Sequence, residues 1–187
     1  MNVYDFDGTV YCGDSSVDFY LFCAKKHFFA VARSFPHFCL SFIQYKRRCL
    51  SKKELKEAFF SFVANLADLE ELVQQFWSKN RRKIYTWYLT QHSQTDVIVS
   101  ASPDFLLIPI CSQLNVANLI ASIVDPRSGK FLTENCYGQE KVNRFFQIYA
   151  NGTIDNFYSD SRSDWPMKEI SKSAFLIKKG IPIPWEG

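Results

Sequence analysis

The chain has 187 residues, of which 47% are hydrophobic, 22% charged and 17% aromatic. This balance excludes disorder and fibrous repeats and fits one globular domain or a core carrying an inserted subdomain. The net charge of +3 is unevenly spread: nine Lys and Arg lie between Tyr20 and Phe60 against Glu54 and Glu57, a local +7, which leaves −4 for the remainder. The basic charge therefore belongs to one segment. The six cysteines show neither a C-x-x-C pair nor Cys/His zinc spacing, so no disulfide framework or structural metal is expected. The opening residues lack the charged-then-apolar pattern of a signal peptide, and a cytoplasmic location is the expectation.

In chain order, Asn2 to Phe6 reads as a strand. Phe28 to Tyr45 is amphipathic at helical spacing, with Phe28, Val31, Phe35, Phe38 and Phe42 on one side and Arg33, Ser34, His37, Ser41 and Gln44 on the other; a kink is expected at Pro36. The apolar stripe is expected to pack inward. The alternative is an interfacial helix aided by Lys46-Arg47-Arg48 and Lys52-Lys53. Arg33, Pro36 and His37 argue against a membrane span. Ser51 with Glu54 forms a capping box, and apolar residues recur at helical spacing from Leu55 to Tyr88. Residues 15–92 thus read as a helical block.

Beyond it, short apolar runs alternate with helical stretches. Asp96 to Val99, Asn118 to Ala121, Ile154 to Tyr158 and Ala174 to Ile177 read as strands. Helices are expected from near Pro103, over Glu140 to Tyr149 and over Pro166 to Ile170, with a hairpin around Asp125 to Gly129. The pattern predicts an α/β fold, a Rossmann-like doubly wound parallel sheet with an inserted all-α cap domain. Residues 1–14 and 93–187 would form the core and 15–92 the cap.

In such a sheet the ligand site lies beyond the carboxyl ends of the strands. Here those ends read Asp5-Phe6-Asp7-Gly8-Thr9, Ser100-Ala101-Ser102 and Ser159-Asp160-Ser161-Arg162-Ser163-Asp164, and Lys141 opens a helix. If Asp5, Asp7, Asp160 and Asp164 converge, their repulsion calls for a cation, and oxygen-only ligation suits Mg²⁺. One carboxylate could then attack phosphorus while another two residues away handles protons. Ser100 and Lys141 would stabilise the phosphoryl oxygens. Simpler readings stand beside these: Asp14, Ser100 and Asp164 could cap helices, and Lys141 could be a solvated helix residue. The Gly8 to Ser15 stretch has P-loop spacing, but Asp14 occupies the position that requires Lys.

Taken together, these residues resemble the haloacid dehalogenase superfamily, in particular its phosphoserine-phosphatase-like branch with a helical cap. D-x-D-G-T is met by Asp5 to Thr9, the strand-ending hydroxyl by Ser100, the lysine by Lys141, and the acidic motif by Asp160 and Asp164. The resemblance implies a Mg²⁺-dependent phosphatase with Asp5 as nucleophile and metal ligand. Asp7 would be acid/base and lend its backbone carbonyl to the metal, and Asp160 would be the third ligand. Asp164 would orient the metal's surroundings or Lys141, and the Ala101 amide would join Ser100 in phosphate binding. Asp14 stands where phosphoserine phosphatases carry Glu, a substrate-reading position, and Ser100-Ala101-Ser102 where they have Ser-Gly-Gly. The runs Cys136 to Val142, Tyr158 to Ser161 and Asn118 to Ser122 are similar to the phosphatidylglycerophosphatases of the same superfamily. The substrate is thus expected to be a small phosphorylated molecule or a lipid phosphate. Phosphoryl transfer to another acceptor, or anionic-membrane binding through the basic cap, are the alternative functions; no nucleic-acid partner is expected, since no reading motif accompanies the basic residues.

Overall fold

The computed structural model describes residues 1–186; Gly187, the last residue of the expected core range, lies outside them. Six strands form one sheet: β1 (Asn2–Tyr4), β2 (Val97–Pro103), β3 (Asn118–Ser122), β4 (Ile154–Ser159), β5 (Ser171–Lys178) and β6 (Ile181–Pro184). Their order is β3-β2-β1-β4-β5-β6, with every pairing parallel except the antiparallel β5–β6 edge. The order reverses direction at β1, so the carboxyl end of β1 is the natural crevice of the sheet.

Period-two alternation explains why this sheet is buried on both faces. Tyr4, Ile98, Tyr158 and Ile177 face one core, and Val3, Val97, Val99, Phe157 and Leu176 face the other. On the first face Tyr4 stacks on Tyr158 at 4.7 Å and Tyr158 on Phe175 at 4.9 Å, because register places these three side by side across β1, β4 and β5. Such cross-strand aromatic neighbours help fix the register.

Between β1 and β2 lie six helices: α1 (Ser15–Lys26), α2 (Phe28–Ala32), α3 (Phe35–Lys46), α4 (Lys52–Phe60), α5 (Leu69–Asn80) and α6 (Thr86–Gln91). Phe19 of α1, Phe60 of α4 and Phe76 and Trp77 of α5 are buried in the first core. The helix α7 (Asp104–Gln113) adds Leu106, Leu107 and Ile110 to it. The opposite core is covered by α8 (Gln139–Ile148) and α9 (Trp165–Glu169), through Val142, Phe145 and Met167.

Three features differ from the sequence expectation. The Phe28–Tyr45 stretch is two helices broken at Arg33-Ser34, and Pro36 sits in the first turn of α3, where its missing N–H costs nothing, instead of kinking a helix interior. The expected packing of its apolar side is largely reversed: Val31 is buried, but Phe28, Phe35 and Phe42 are exposed while Ser41 is buried. The physical reason is that Ser41 faces the same side as Phe38, which packs on Phe59 of α4, while Phe42 lies at the open cleft and Phe35, Leu40 and Ile43 are left exposed. Finally, β6 escapes a propensity reading because Pro182 and Pro184 occupy half of it; it is an edge strand, where proline is tolerated.

The Asp125–Gly129 turn closes on a Gly129 N–H to Asp125 carbonyl bond of 2.8 Å, and Val124 bridges Phe131 beside it. Gly129 has φ of +75°, and a Cβ there would fall 2.3 Å from the Phe60 carbonyl oxygen. Glycine is therefore what lets this turn lie against the end of α4.

Candidate active site

The polar residues at the strand ends line one cleft of about 610 Å³, which contains Asp5, Asp7, Gly8, Asp14, Ser100, Ala101, Ser102, Lys141, Asp160 and Asp164. Asp5 follows β1 directly, and its N–H donates to the Tyr158 carbonyl at 2.9 Å. Its carboxylate is thereby held at the sheet's crevice.

Lys141 lies in the first turn of α8 and is buried. Its ammonium donates to Asp5 Oδ1 and to Asp164 Oδ2, both at 2.7 Å. Ser159 Oγ donates a further 2.8 Å bond to Asp164 Oδ2. Burial alone would lower the Lys141 ammonium's pKa, but Asp5 and then Asp164 outweigh it and hold the group above its ordinary value. Burial pushes the Asp5 carboxyl upward, Lys141 opposes this, and Asp164 and Asp7 add to it. The net direction for Asp5 is upward, while the 2.7 Å ion pair marks the charged form as the partner of Lys141.

Asp7 is held apart from this trio. Its Oδ1 accepts from the Ser15 N–H at 2.6 Å and its Oδ2 from Ser102 Oγ at 2.5 Å. Burial, then the Asp14 charge, push its carboxyl up to about 6 against the two serines. Asp160 stands on the open side of the cleft beside Gly8, where φ is +73° and a Cβ would fall 2.0 Å from Asp160 Oδ2. Its carboxyl is raised by burial and by Asp164.

Asp160 and Asp5 thus line the same cleft, but the four carboxylates do not crowd round one point. Among the described residues no group of three or more His, Cys, Asp or Glu is gathered as a metal cluster. Lys141 occupies the space between Asp5 and Asp164, and Ser15 and Ser102 draw Asp7 aside. Asp164 contacts Lys141 and not a shared ion position. Asp14 is the N-cap of α1, accepting from the Val17 N–H at 3.0 Å, while also lining the cleft. Ser100 Oγ accepts from the Ser102 N–H at 3.1 Å, and as a hydroxyl it keeps a hydrogen to donate. The Ala101 carbonyl is engaged by Lys56 Nζ at 2.7 Å.

Two residues here were not singled out by sequence reasoning. Ser102 bonds Asp7 and sits 3.0 Å from Ser16 Oγ of α1; its position two residues after Ser100 was the available signal. Lys56 of α4 reaches across to Ala101 and to Asn135 Oδ1 at 3.1 Å. Burial, then Lys52, lower its ammonium to about 8. Nothing in the charge run distinguished it from its solvated neighbours. Above these cations the cleft wall is apolar, made by Val17, Phe38, Phe42, Leu55 and Phe59.

A crevice-centred doubly wound sheet with an Asp pair, a buried Lys and strand-end serines is a site suited to handling anionic groups. The family model for haloacid dehalogenase-like hydrolases matches residues 3–169. The chain belongs to this hydrolase family, and its fold is the family's Rossmann-like fold. Among solved structures, it is similar to a protein of unknown function from Bordetella pertussis Tohama I, with a TM-score of 0.76 and 20% identity over 94% of this chain and 88% of that one. A phosphoserine phosphohydrolase-like protein from Francisella tularensis subsp. tularensis SCHU S4 gives 0.58 and 15% over 97% and 89%. A phosphoserine phosphatase described as a phospho-aspartyl intermediate analogue gives 0.55 and 15% over 93% and 84%. No curated protein matches the chain.

Proposed function

We propose that the protein is a Mg²⁺-dependent phosphatase that hydrolyses a phosphomonoester through an aspartyl phosphate on Asp5. The carrying observation is that Asp5 and Asp7, two residues apart just beyond β1, line one cleft with the Lys141 ammonium 2.7 Å from Asp5. A phosphoserine phosphatase of similar fold is described as a phospho-aspartyl intermediate analogue, which supports the same chemistry here.

Asp5 would attack phosphorus as the ester P–O bond breaks, and the leaving oxygen would take a proton from Asp7. A carboxyl raised to about 6 retains a protonated fraction near neutrality for that task. Asp7 would then take a proton from water as the water attacks phosphorus, releasing inorganic phosphate and restoring the Asp5 carboxylate. Lys141 and the Ser100 hydroxyl would balance the phosphoryl charge, and Asp164 would hold Lys141 in line. The residues fit Mg²⁺: the donors are hard oxygens, namely the Asp5 and Asp160 carboxylates and the Asp7 carbonyl, and the absent side chain at Gly8 leaves room for Asp160. Bound there, the ion would supply positive charge against the phosphoryl group.

Residues 15–92 would act as the cap over a core of 1–14 and 93–187. The apolar wall from α1, α3 and α4, with Lys52 and Lys56 beneath it, favours a phosphate carried next to an apolar body, as in a lipid phosphate, over a phosphoserine-like molecule. The test is a panel of phospho-amino acids, sugar phosphates, nucleotides and lipid phosphates, with Mg²⁺ and then with chelator. Phosphate release that needs Mg²⁺ and falls on the order of 10³-fold or more in Asp5→Asn is expected. Undiminished activity in that variant overturns the assignment of Asp5.

A further inference from the structure

The helices α2 and α3 present an apolar surface outward. Phe29 is 86% exposed, Phe28 65%, Leu40 63% and Ile43 48%. Large apolar side chains left exposed on two successive helices in this way mark an interaction site. Two independent observations say what covers it. From Phe19 to Lys53 the chain has no Asp or Glu and eight basic residues. Of these, Arg33, Lys46, Arg47 and Arg48 are exposed, and none of the four is in a salt bridge among the described residues. Phe42, on the same helix, also lines the active-site cleft, so the surface runs into the mouth of the site.

We infer that the α2–α3 face docks on an anionic lipid surface. Exposed aromatic and aliphatic side chains on helices that also carry exposed cations without acidic partners match the apolar-boundary and headgroup layers of such a surface. Among the described residues no helix is long and apolar enough to cross a membrane, which fits lying on the surface. Docking would set the cleft mouth at the lipid headgroups. The face itself is independent of the phosphatase reading.

The experiment is co-sedimentation of the full chain with phosphatidylcholine vesicles, with and without one-quarter phosphatidylglycerol, at low and high salt. The variants are Phe28→Ser/Phe29→Ser and Arg47→Gln/Arg48→Gln, each checked for unchanged thermal unfolding and unchanged hydrolysis of a soluble aryl phosphate. Expected is salt-sensitive binding to the anionic vesicles, weakened about ten-fold by the phenylalanine pair and about five-fold for each charge removed. No binding to anionic vesicles, or binding that both variants retain, overturns the inference. So does a dimer in sedimentation velocity that the phenylalanine pair abolishes without any vesicle binding, since the face would then belong to a second copy. Loss of aryl phosphate hydrolysis in Asp5→Asn with binding intact leaves the docking face standing, so the two readings fail separately.

Discussion

Lys56 brings a cation from α4 to the strand-end serines, and burial gives it an unusual property: its ammonium titrates at about 8. It is charged below that pH and neutral above it, so its attraction for an anionic substrate is present at neutrality and lost as pH rises through 8. In the wild type KM should climb across that interval. In Lys56→Met it should be raised about ten-fold at pH 7, the scale of one charged hydrogen bond, and stay flat through pH 8. Steady-state kinetics at several pH values check both statements. Lys141 poses a different test. With Lys141→Met, Asp5 and Asp164 remain buried without a cation, which should cost about 3–5 kcal/mol at pH 7. In that variant the Asp5 carboxyl loses the cation that opposes its burial and is raised further above its ordinary value, so the stability it contributes is present below about pH 4 and lost as pH rises through the raised value. Urea unfolding at pH 4 and 7 should therefore show a smaller gap from the wild type at pH 4; an equal gap would contradict the account.

At the scale of elements, Gly129 is the clearest case of one residue seating a segment. Replacing it with Ala puts a Cβ into the Phe60 carbonyl at a left-handed position, and thermal unfolding should show a loss of roughly 2 kcal/mol. The strands were legible because β-branched and aromatic runs with turn residues at their ends need no tertiary information to be recognised. The motif residues were legible for the same reason: Asp5, Asp7 and Asp160 follow strand ends, Lys141 opens a helix, and Ser100 follows the apolar run Val97–Val99 although β2 itself runs on to Pro103; the sheet topology brings these positions together. What was not legible depended on long-range packing. The direction α3 faces is decided by which residues meet α4, and a helical wheel with Phe on one side cannot tell that Ser41 is the buried one. Lys56 looked like any lysine in a basic run until α4 was laid over Ala101. The split of the carboxylates into an Asp5–Lys141–Asp164 chain and a serine-held Asp7 is likewise a product of side-chain geometry that spacing does not encode.

Over the whole molecule, the path of the chain between β1 and β2 carries the exposed apolar side chains of α2 and α3, the exposed cations Arg33, Lys46, Arg47 and Arg48, and the apolar wall of the cleft at the end of β1. The six helices between β1 and β2 are not held to the sheet evenly along that path. α4 is fixed on the sheet side by Lys56 to Ala101 and Asn135, by Glu57 Oε1 accepting from the Phe131 N–H at 3.0 Å, and by Gly129 lying against Phe60. α2 and α3 have few buried residues of their own, Val31 and Ser41. Backbone amides of α4 should therefore exchange with deuterium more slowly than those of α2 and α3, a contrast that hydrogen-exchange mass spectrometry resolves. α4 is thus the fixed hinge-post of the cleft wall, and a change that loosens its hold on the sheet would alter the mouth of the site without touching a single reacting atom.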